Sequence, residues 1–156
     1  MLVYLFKVAL MHNKRIYRNI EMFENQTLAD LHEAIFDAFD RYEEHLYSFF
    51  LTRKATKSTG TIYDSPEYTH PMAIQQDPGI GFKKQYNAEK SSVNKLGLKE
   101  KDKVYYLFDF GDDWWHEVTL LKITEALDSN EYPNIVKIVG ESPPQYSDYE
   151  EDEEFD

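Results

Sequence analysis

Residues 103–121 decide the fold, and they have the sequence Lys-Val-Tyr-Tyr-Leu-Phe-Asp-Phe-Gly-Asp-Asp-Trp-Trp-His-Glu-Val-Thr-Leu-Leu. Two runs of alternating apolar residues, typical of half-buried β-strands, flank a short segment rich in Gly and Asp. The apolar faces of the two runs are made of Val104, Tyr106, Phe108 and Phe110, and of Trp114, His116, Val118 and Leu120. A one-residue slip would move every side chain to the opposite face, so the two apolar faces have to coincide. We therefore predict a β-hairpin with the loop 111–113, which sets Phe110 opposite Trp114 and Phe108 opposite His116.

Four further stretches show the apolar patterns of strands: 2–11, 16–23, 46–52 and 135–139. The first two are joined by a short polar link, which favours an antiparallel hairpin. A helix is predicted to begin at Thr27, whose hydroxyl can cap the first turn, and to end within 40–44. Its apolar stripe has the spacing of three and four typical of a helix: Leu28, Leu31, Ile35, Ala38, Phe39 and Tyr42.

The segment 53–95 has no sustained periodicity and contains several Gly and Pro residues among polar ones. A structureless loop of this length is uncommon in a compact domain, so we expect an insertion with short elements or a functional cover. The pattern as a whole predicts an α+β fold: a mixed, mainly antiparallel sheet with one main helix on one face, β-grasp-like. Residues 1–146 are expected to form one domain.

Composition limits the possible partners and compartment. The chain of 156 residues has 29 acidic and 17 basic residues, and its net charge is −12. Most of that excess lies in 147–156, which we expect to be a disordered acidic tail. Direct binding to nucleic acid is disfavoured, because a negatively charged protein repels phosphates. The absence of Cys agrees with a cytoplasmic protein, and the apolar N-terminus is too short to span a membrane. We expect no cofactor.

The hairpin carries side chains suited to chemistry. Asp109, Asp112, Asp113 and His116 offer ligands for a divalent metal, and paired acids could divide acid and base roles. The alternation of a strand nevertheless places Asp109 and His116 on opposite faces. We favour a structural interpretation, in which the aspartates shape the turn and His116 is a core imidazole bonded to a carboxylate or carbonyl. His32, inside the helical stripe, is likewise interpreted as a packed histidine.

Three segments together resemble the plasmid pRiA ORF-three-like family, which includes passenger proteins of insertion elements. They are 27–49, the hairpin 106–118 with its Asp-Phe-Gly-Asp-Asp-Trp-Trp-His sequence, and 132–146. The family's signature and its His-containing pairs correspond to Asp109, Phe110, Gly111, Asp112, Trp114, His116, His32 and His45. Many members have Gly-Trp in place of 40–41, and a Gly-rich C-terminal segment with Cys that this chain lacks. The resemblance implies an α+β fold but no reaction.

Two hypotheses of function follow. The first is a non-enzymatic protein-interaction or adaptor module associated with mobile elements, which recognises a protein partner through 53–95 or through exposed aromatic residues. The alternative is a metal-dependent hydrolase or nuclease that uses Asp109, Asp112, Asp113 and His116, with His32 or His45 brought close by folding. The partner, the substrate and the oligomeric state are open at this point, as is the binding of any metal.

Overall fold

The computed structural model describes residues 1–75, 83–127 and 129–146. In these residues an eight-stranded sheet has the order β5-β4-β3-β6-β7-β1-β2-β8. Its elements are β1 (Leu2–Leu10), β2 (Asn13–Phe23), α1 (Leu28–Ala38), β3 (Tyr47–Arg53), α2 (Thr59–Asp64), β4 (Glu67–Thr69), β5 (Gln85–Asn87), β6 (Lys103–Phe108), β7 (Trp114–Glu125) and β8 (Asn134–Val139). Neighbouring strands are antiparallel except β4 and β5, which are parallel. The α+β class is therefore confirmed, whereas this strand order does not confirm the β-grasp-like detail.

Helix α1 begins with the predicted cap. The Thr27 hydroxyl accepts a hydrogen bond from the amide of Asp30, and the Asp30 carboxylate accepts one from the amide of Thr27. This reciprocal capping box satisfies two backbone donors that the first turn leaves without partners. The helix packs its apolar stripe against one face of the sheet, where the main core lies.

The helix ends earlier than predicted, at Ala38. Asp40 has a φ of 55°, in the left-handed conformation that commonly terminates helices. Tyr42, expected in the apolar stripe, is consequently outside the helix and 68% exposed. The expectation that Tyr42 belongs to the core was wrong.

The hairpin of β6 and β7 forms, but its predicted register was wrong. Phe108 lies opposite Trp114 and Tyr106 opposite His116, so residues 109–113 connect the strands. Asp109 and Asp113 both have positive φ, and this longer turn leaves Phe110 42% exposed instead of pairing it with Trp114. The predicted pairing of the two strands is displaced by two residues from the observed one. Because this number is even, the apolar faces of the remaining residues still coincide.

Segment 53–95 contains short elements in its described part. These are α2, β4, β5 and three single 3₁₀ turns at Pro71–Ala73, Ala88–Lys90 and Val93–Lys95. Helix α2 covers the face of the sheet opposite α1, where Ile62 packs into a second core cluster with Phe50, Tyr105 and Leu107.

The C-terminal part of the described chain is fixed to the loop after α1. Buried Arg18 donates hydrogen bonds to the carbonyl oxygens of Ala38, Val139 and Gly140. The side-chain oxygen of Gln145 accepts hydrogen bonds from the backbone amides of Tyr42 and Glu43, and its side-chain nitrogen donates to the carbonyl oxygen of Glu43. These bonds bring residues 140–146 over the end of α1. The predicted tail 147–156 lies outside the described residues.

Candidate functional site

The loop 109–113 is held by its own aspartate. One carboxylate oxygen of Asp109, Oδ1, accepts hydrogen bonds from the amides of Gly111 and Asp112 at 3.1 and 3.3 Å. The amide of Asp113 donates to the carbonyl oxygen of Asp109 at 2.7 Å. Asp109 is buried, whereas Gly111, Asp112 and Asp113 are exposed. The aspartates therefore shape the turn, and Asp109 is the one whose carboxylate faces into the protein.

Asp109 meets one of the predicted histidines. Its second oxygen, Oδ2, lies 3.4 Å from Nε2 of His45, and the same ring nitrogen lies 2.7 Å from the hydroxyl of Tyr146. The amide of Asp109 also donates to the carbonyl oxygen of Leu46, which fixes the loop beside the start of β3. The contact between the Asp109 carboxylate and the His45 imidazole thus connects the signature hairpin to the loop that follows α1.

His32 is almost fully buried, and each ring nitrogen has a partner. Nδ1 lies 2.6 Å from the hydroxyl of Tyr106, and Nε2 lies 3.0 Å from a carboxylate oxygen of Glu44. The ring stacks on Tyr47 with 3.9 Å between centroids and 9° between planes. The packed interpretation of His32 agrees with this environment.

The contact between His32 and Glu44 is a hydrogen bond of a neutral imidazole rather than an ion pair. Burial, with smaller contributions from His70 and Arg41, lowers the pKa of His32 to about 3. Burial also raises the pKa of the Tyr106 phenol, so this hydroxyl keeps its proton and can donate it to Nδ1. The network therefore assigns the tautomer in which Nε2–H donates to Glu44.

An open cleft lies above this network. It has a volume of about 750 Å³ and is lined by Glu33, Glu44, His45, Leu46, His70 and Met72. Partial burial raises the pKa of Glu33, and the neighbouring charge of Glu44 acts in the same direction. The sequence did not single out Glu33, Glu44 or His70, because their proximity arises only when α1, the loop after it and the segment after β4 come together.

His116 lies apart from the cleft, in the core. Its Nδ1 donates to the carbonyl oxygen of Tyr106 at 3.2 Å, and its Nε2 accepts from the Arg41 guanidinium at 2.7 Å. Burial first, and then the charge of Arg41, lowers the pKa of His116 well below its ordinary value. The interpretation of His116 as a core imidazole bonded to a carbonyl agrees with these contacts.

Arg41, which the sequence did not single out, is itself buried. Its guanidinium lies near the rings of Phe39, Phe108 and Trp114 at 5.0–5.4 Å from their centroids. Burial lowers its pKa to about 10. Among the described residues, Nη1 of Arg41 and Nε1 of Trp114 are buried without a hydrogen-bond partner. The Trp114 ring covers one side of the guanidinium.

The hypothesised metal cluster of the hairpin does not form. Both nitrogens of His116 are engaged by Tyr106 and Arg41, and Asp112 and Asp113 lie on the exposed turn. Within the described ranges, the group with the spacing of metal ligands is His32, Glu33 and Glu44. Folding brings Asp109 to His45 and places His32 beneath the neighbouring cleft, but it keeps His116 away from both.

A second, smaller cavity opens on the face covered by α2. Its volume is about 160 Å³, and it is lined in part by Phe50, Tyr63, Leu107, Phe110 and Asp113. Tyr63 and Phe110 are 48% and 42% exposed. Phe110 and Asp113 of the signature hairpin thus line the same cavity as Tyr63 of α2, which belongs to the segment 53–95.

These features define a protein with a mainly antiparallel α+β sheet, one main helix and a signature hairpin between two surface cavities. The chain belongs to the plasmid pRiA4b ORF-3-like protein family, whose model matches residues 2–151. It is also similar to a solved structure, the crystal structure of the protein of unknown function MM3350 from Methanosarcina mazei Go1. The identity is 26%, the TM-score is 0.69, and the match covers 98% of this chain and 80% of that one. No functionally curated protein matches the chain.

Proposed function

We propose that this protein is a non-enzymatic protein-interaction or adaptor module that acts in the cytoplasm with proteins of mobile elements. The observation that carries the proposal is the cavity lined both by Phe110 of the signature hairpin and by Tyr63 of α2, which are 42% and 48% exposed. Aromatic side chains around a small pocket are typical anchors of protein interfaces. The family description, which refers to a plasmid open reading frame, supports the link to mobile elements.

The Tyr63 ring and the turn that carries Phe110 are held in place before a partner arrives. Tyr63 packs edge-on against Phe50 and Trp115, with centroid distances of 5.3 and 5.7 Å. Phe110 is carried by the hydrogen-bonded turn between Asp109 and Asp113. Because anchors that are already ordered lose little conformational entropy on binding, this arrangement favours association.

The cavity also indicates the chemistry of the partner. A cavity of about 150 Å³ accommodates a benzene ring, so the observed 160 Å³ has room for one large apolar side chain. Glu67 and Asp113 line its rim, and the charge of Glu67 is partly matched by Lys83 at 3.7 Å. The preferred occupant is therefore an apolar side chain of a protein partner with a Lys or Arg next to it.

A quantitative capture experiment tests this function. The full-length protein is immobilised and incubated with native lysate, in parallel with a Tyr63→Ala/Phe110→Ala double variant and with Tyr86→Ala. Tyr86 is a matched control because its ring is also exposed, at 39%, but lies on the edge strand β5. Loss of one interface anchor of about 2 kcal/mol weakens binding about 30-fold, and loss of two such anchors weakens it by about 700-fold.

The expected result is a protein enriched by the wild type and by Tyr86→Ala but lost with the double variant. Its direct affinity is then measured with the purified partner. Equal capture by the double variant, or no enrichment above background, would contradict the proposal. Recovery of nucleic acid in place of protein would also contradict the proposal. A protein partner is expected because the net charge of −12 repels phosphates.

The structure describes no helix with the length and apolarity needed to cross a membrane.

A further inference from the structure

We propose that His32, Glu33 and Glu44 bind a divalent transition-metal ion, with Zn²⁺ preferred, at the floor of the cleft lined by His45 and His70. Nε2 of His32 lies 3.0 Å from an oxygen of Glu44 and 3.9 Å from an oxygen of Glu33. Zinc bonds of about 2.0–2.1 Å in tetrahedral geometry separate neighbouring ligand atoms by about 3.3 Å. The two observed distances bracket this value, and all three ligand atoms lie within 4.8 Å of one another, so rotation of the two exposed glutamate side chains would bring them to one ion.

The imidazole is oriented by contacts behind it. Stacking on Tyr47 fixes the plane of the ring, and the Tyr106 hydroxyl occupies Nδ1, so Nε2 points toward the carboxylates. Metal-binding histidines usually have their second nitrogen bonded in this way, which sets the ring orientation and the tautomer. When Nε2 takes the metal, the proton resides on Nδ1 and the Tyr106 hydroxyl accepts it as a hydrogen bond. The Tyr106 oxygen stays in place in both states, and its own hydrogen turns away from Nδ1 when the metal binds.

The charge of the site favours a cation. Glu33 and Glu44 place two acidic side chains beside Nε2 of His32. A divalent cation bound there would take one oxygen from each acid. One imidazole and two carboxylates, with water as the fourth ligand, suit zinc.

This site is distinct from the aromatic cavity of the proposed function. Glu33 and His32 lie on α1, whereas Phe110 and Tyr63 surround a cavity on the face of the sheet covered by α2. The inference does not depend on the identity of a protein partner. Its two carboxylate ligands also differ from those of the metal site considered from the sequence, which used Asp109, Asp112 and Asp113.

Isothermal titration of the chelator-treated full chain with ZnCl₂ tests the site. The variants are Glu33→Gln, Glu44→Gln and their combination, and the control is Asp37→Asn, which removes one charge from an exposed position one turn further along α1. The side chains of Glu33 and Glu44 are 65% and 53% exposed, so the substitutions preserve the fold, and circular dichroism verifies this.

We expect one zinc ion per chain, affinity reduced at least tenfold by each Gln substitution, and a change below twofold for Asp37→Asn. The Co²⁺-substituted protein is expected to show the visible absorption of a tetrahedral site, and the double variant to lose it. Absence of zinc binding at millimolar concentration, or wild-type binding by the double variant, would overturn the assignment. Neither outcome affects capture through Phe110 and Tyr63, so failure of one proposal is distinguishable from failure of the other.

Discussion

Replacing each hairpin phenylalanine in turn tests the observed register of β6 and β7. Phe108 is completely buried between α1 and the sheet, whereas Phe110 is 42% exposed at the turn. The predicted loop 111–113 would have placed both rings in the core. Phe108→Ala and Phe110→Ala therefore have very different expected effects on the free energy of unfolding.

The magnitudes follow from burial. Removing a fully buried Phe side chain loses its transfer free energy and leaves a cavity, at a cost of about 3–5 kcal/mol. Full burial of such a side chain contributes about 1.5–3 kcal/mol without the cavity term, and Phe110 has only part of that burial. Phe110→Ala is therefore expected to cost about 1 kcal/mol, and the two variants should differ by about 3 kcal/mol.

Urea unfolding followed by tryptophan fluorescence measures this difference. With a slope of about 2 kcal/mol per molar urea, the midpoint falls by about 2 M for Phe108→Ala and by about 0.5 M for Phe110→Ala. Phe108→Leu keeps most of the volume and should recover more than half of the loss. An effect of Phe110→Ala equal to that of Phe108→Ala would refute the register and the exposed position of Phe110.

Three further results are expected. Thr27→Ala removes the capping hydroxyl of α1 and should lower the free energy of unfolding by about 1–2 kcal/mol in the same urea assay; no change would contradict the observed capping box. Gly140→Ala should cost more than Gly97→Ala, because both have positive φ but a methyl group at 140 would lie only 3.0 Å from a side-chain carbon of Ile16; thermal unfolding ranks the two variants, and equal losses would argue against this contact. Burial lowers the pKa of His116, so the unfolded chain binds the proton more readily than the folded protein. Its contribution to stability is therefore present above pH 6.5 and lost as the pH falls below it, by up to about 1.4 kcal/mol per pH unit. Urea midpoints from pH 5 to 7.5 with chelator test this, and an unchanged slope in His116→Gln would contradict it.

Local patterns in the sequence were sufficient to predict much of the fold. The strands near both termini and the shared apolar face of the hairpin follow from the alternation of apolar residues. The capping box of α1 follows from Thr27 and Asp30, which bond to backbone amides only three residues apart. The register was not predictable in this way, because Asp109 and Asp113 adopt positive φ and lengthen the loop. The predicted end of α1 was wrong for a similar reason, because Asp40 also adopts positive φ. A Gly at position 40 would adopt this conformation without strain and would have indicated the end of the helix.

The candidate site was predictable only in part. The sequence singled out Asp109, His32 and His45, but their partners come from distant segments. Glu44 and Arg41 lie in the loop after α1, where no periodic pattern identifies them, and their roles depend on burial created by the whole sheet. That residues 1–146 form one domain remains a prediction.

The position of β1 in the sheet has a consequence for synthesis of the protein. β1 is synthesised before both of its neighbours; it can pair with β2 soon after Phe23 is added, but β7 begins about 100 residues later. At about 5–20 residues per second, the nascent hairpin exposes the backbone edge of an apolar strand for at least several seconds. A chain that stops before β7 is complete keeps that edge unpaired, so premature termination is expected to yield a product that aggregates or requires a chaperone.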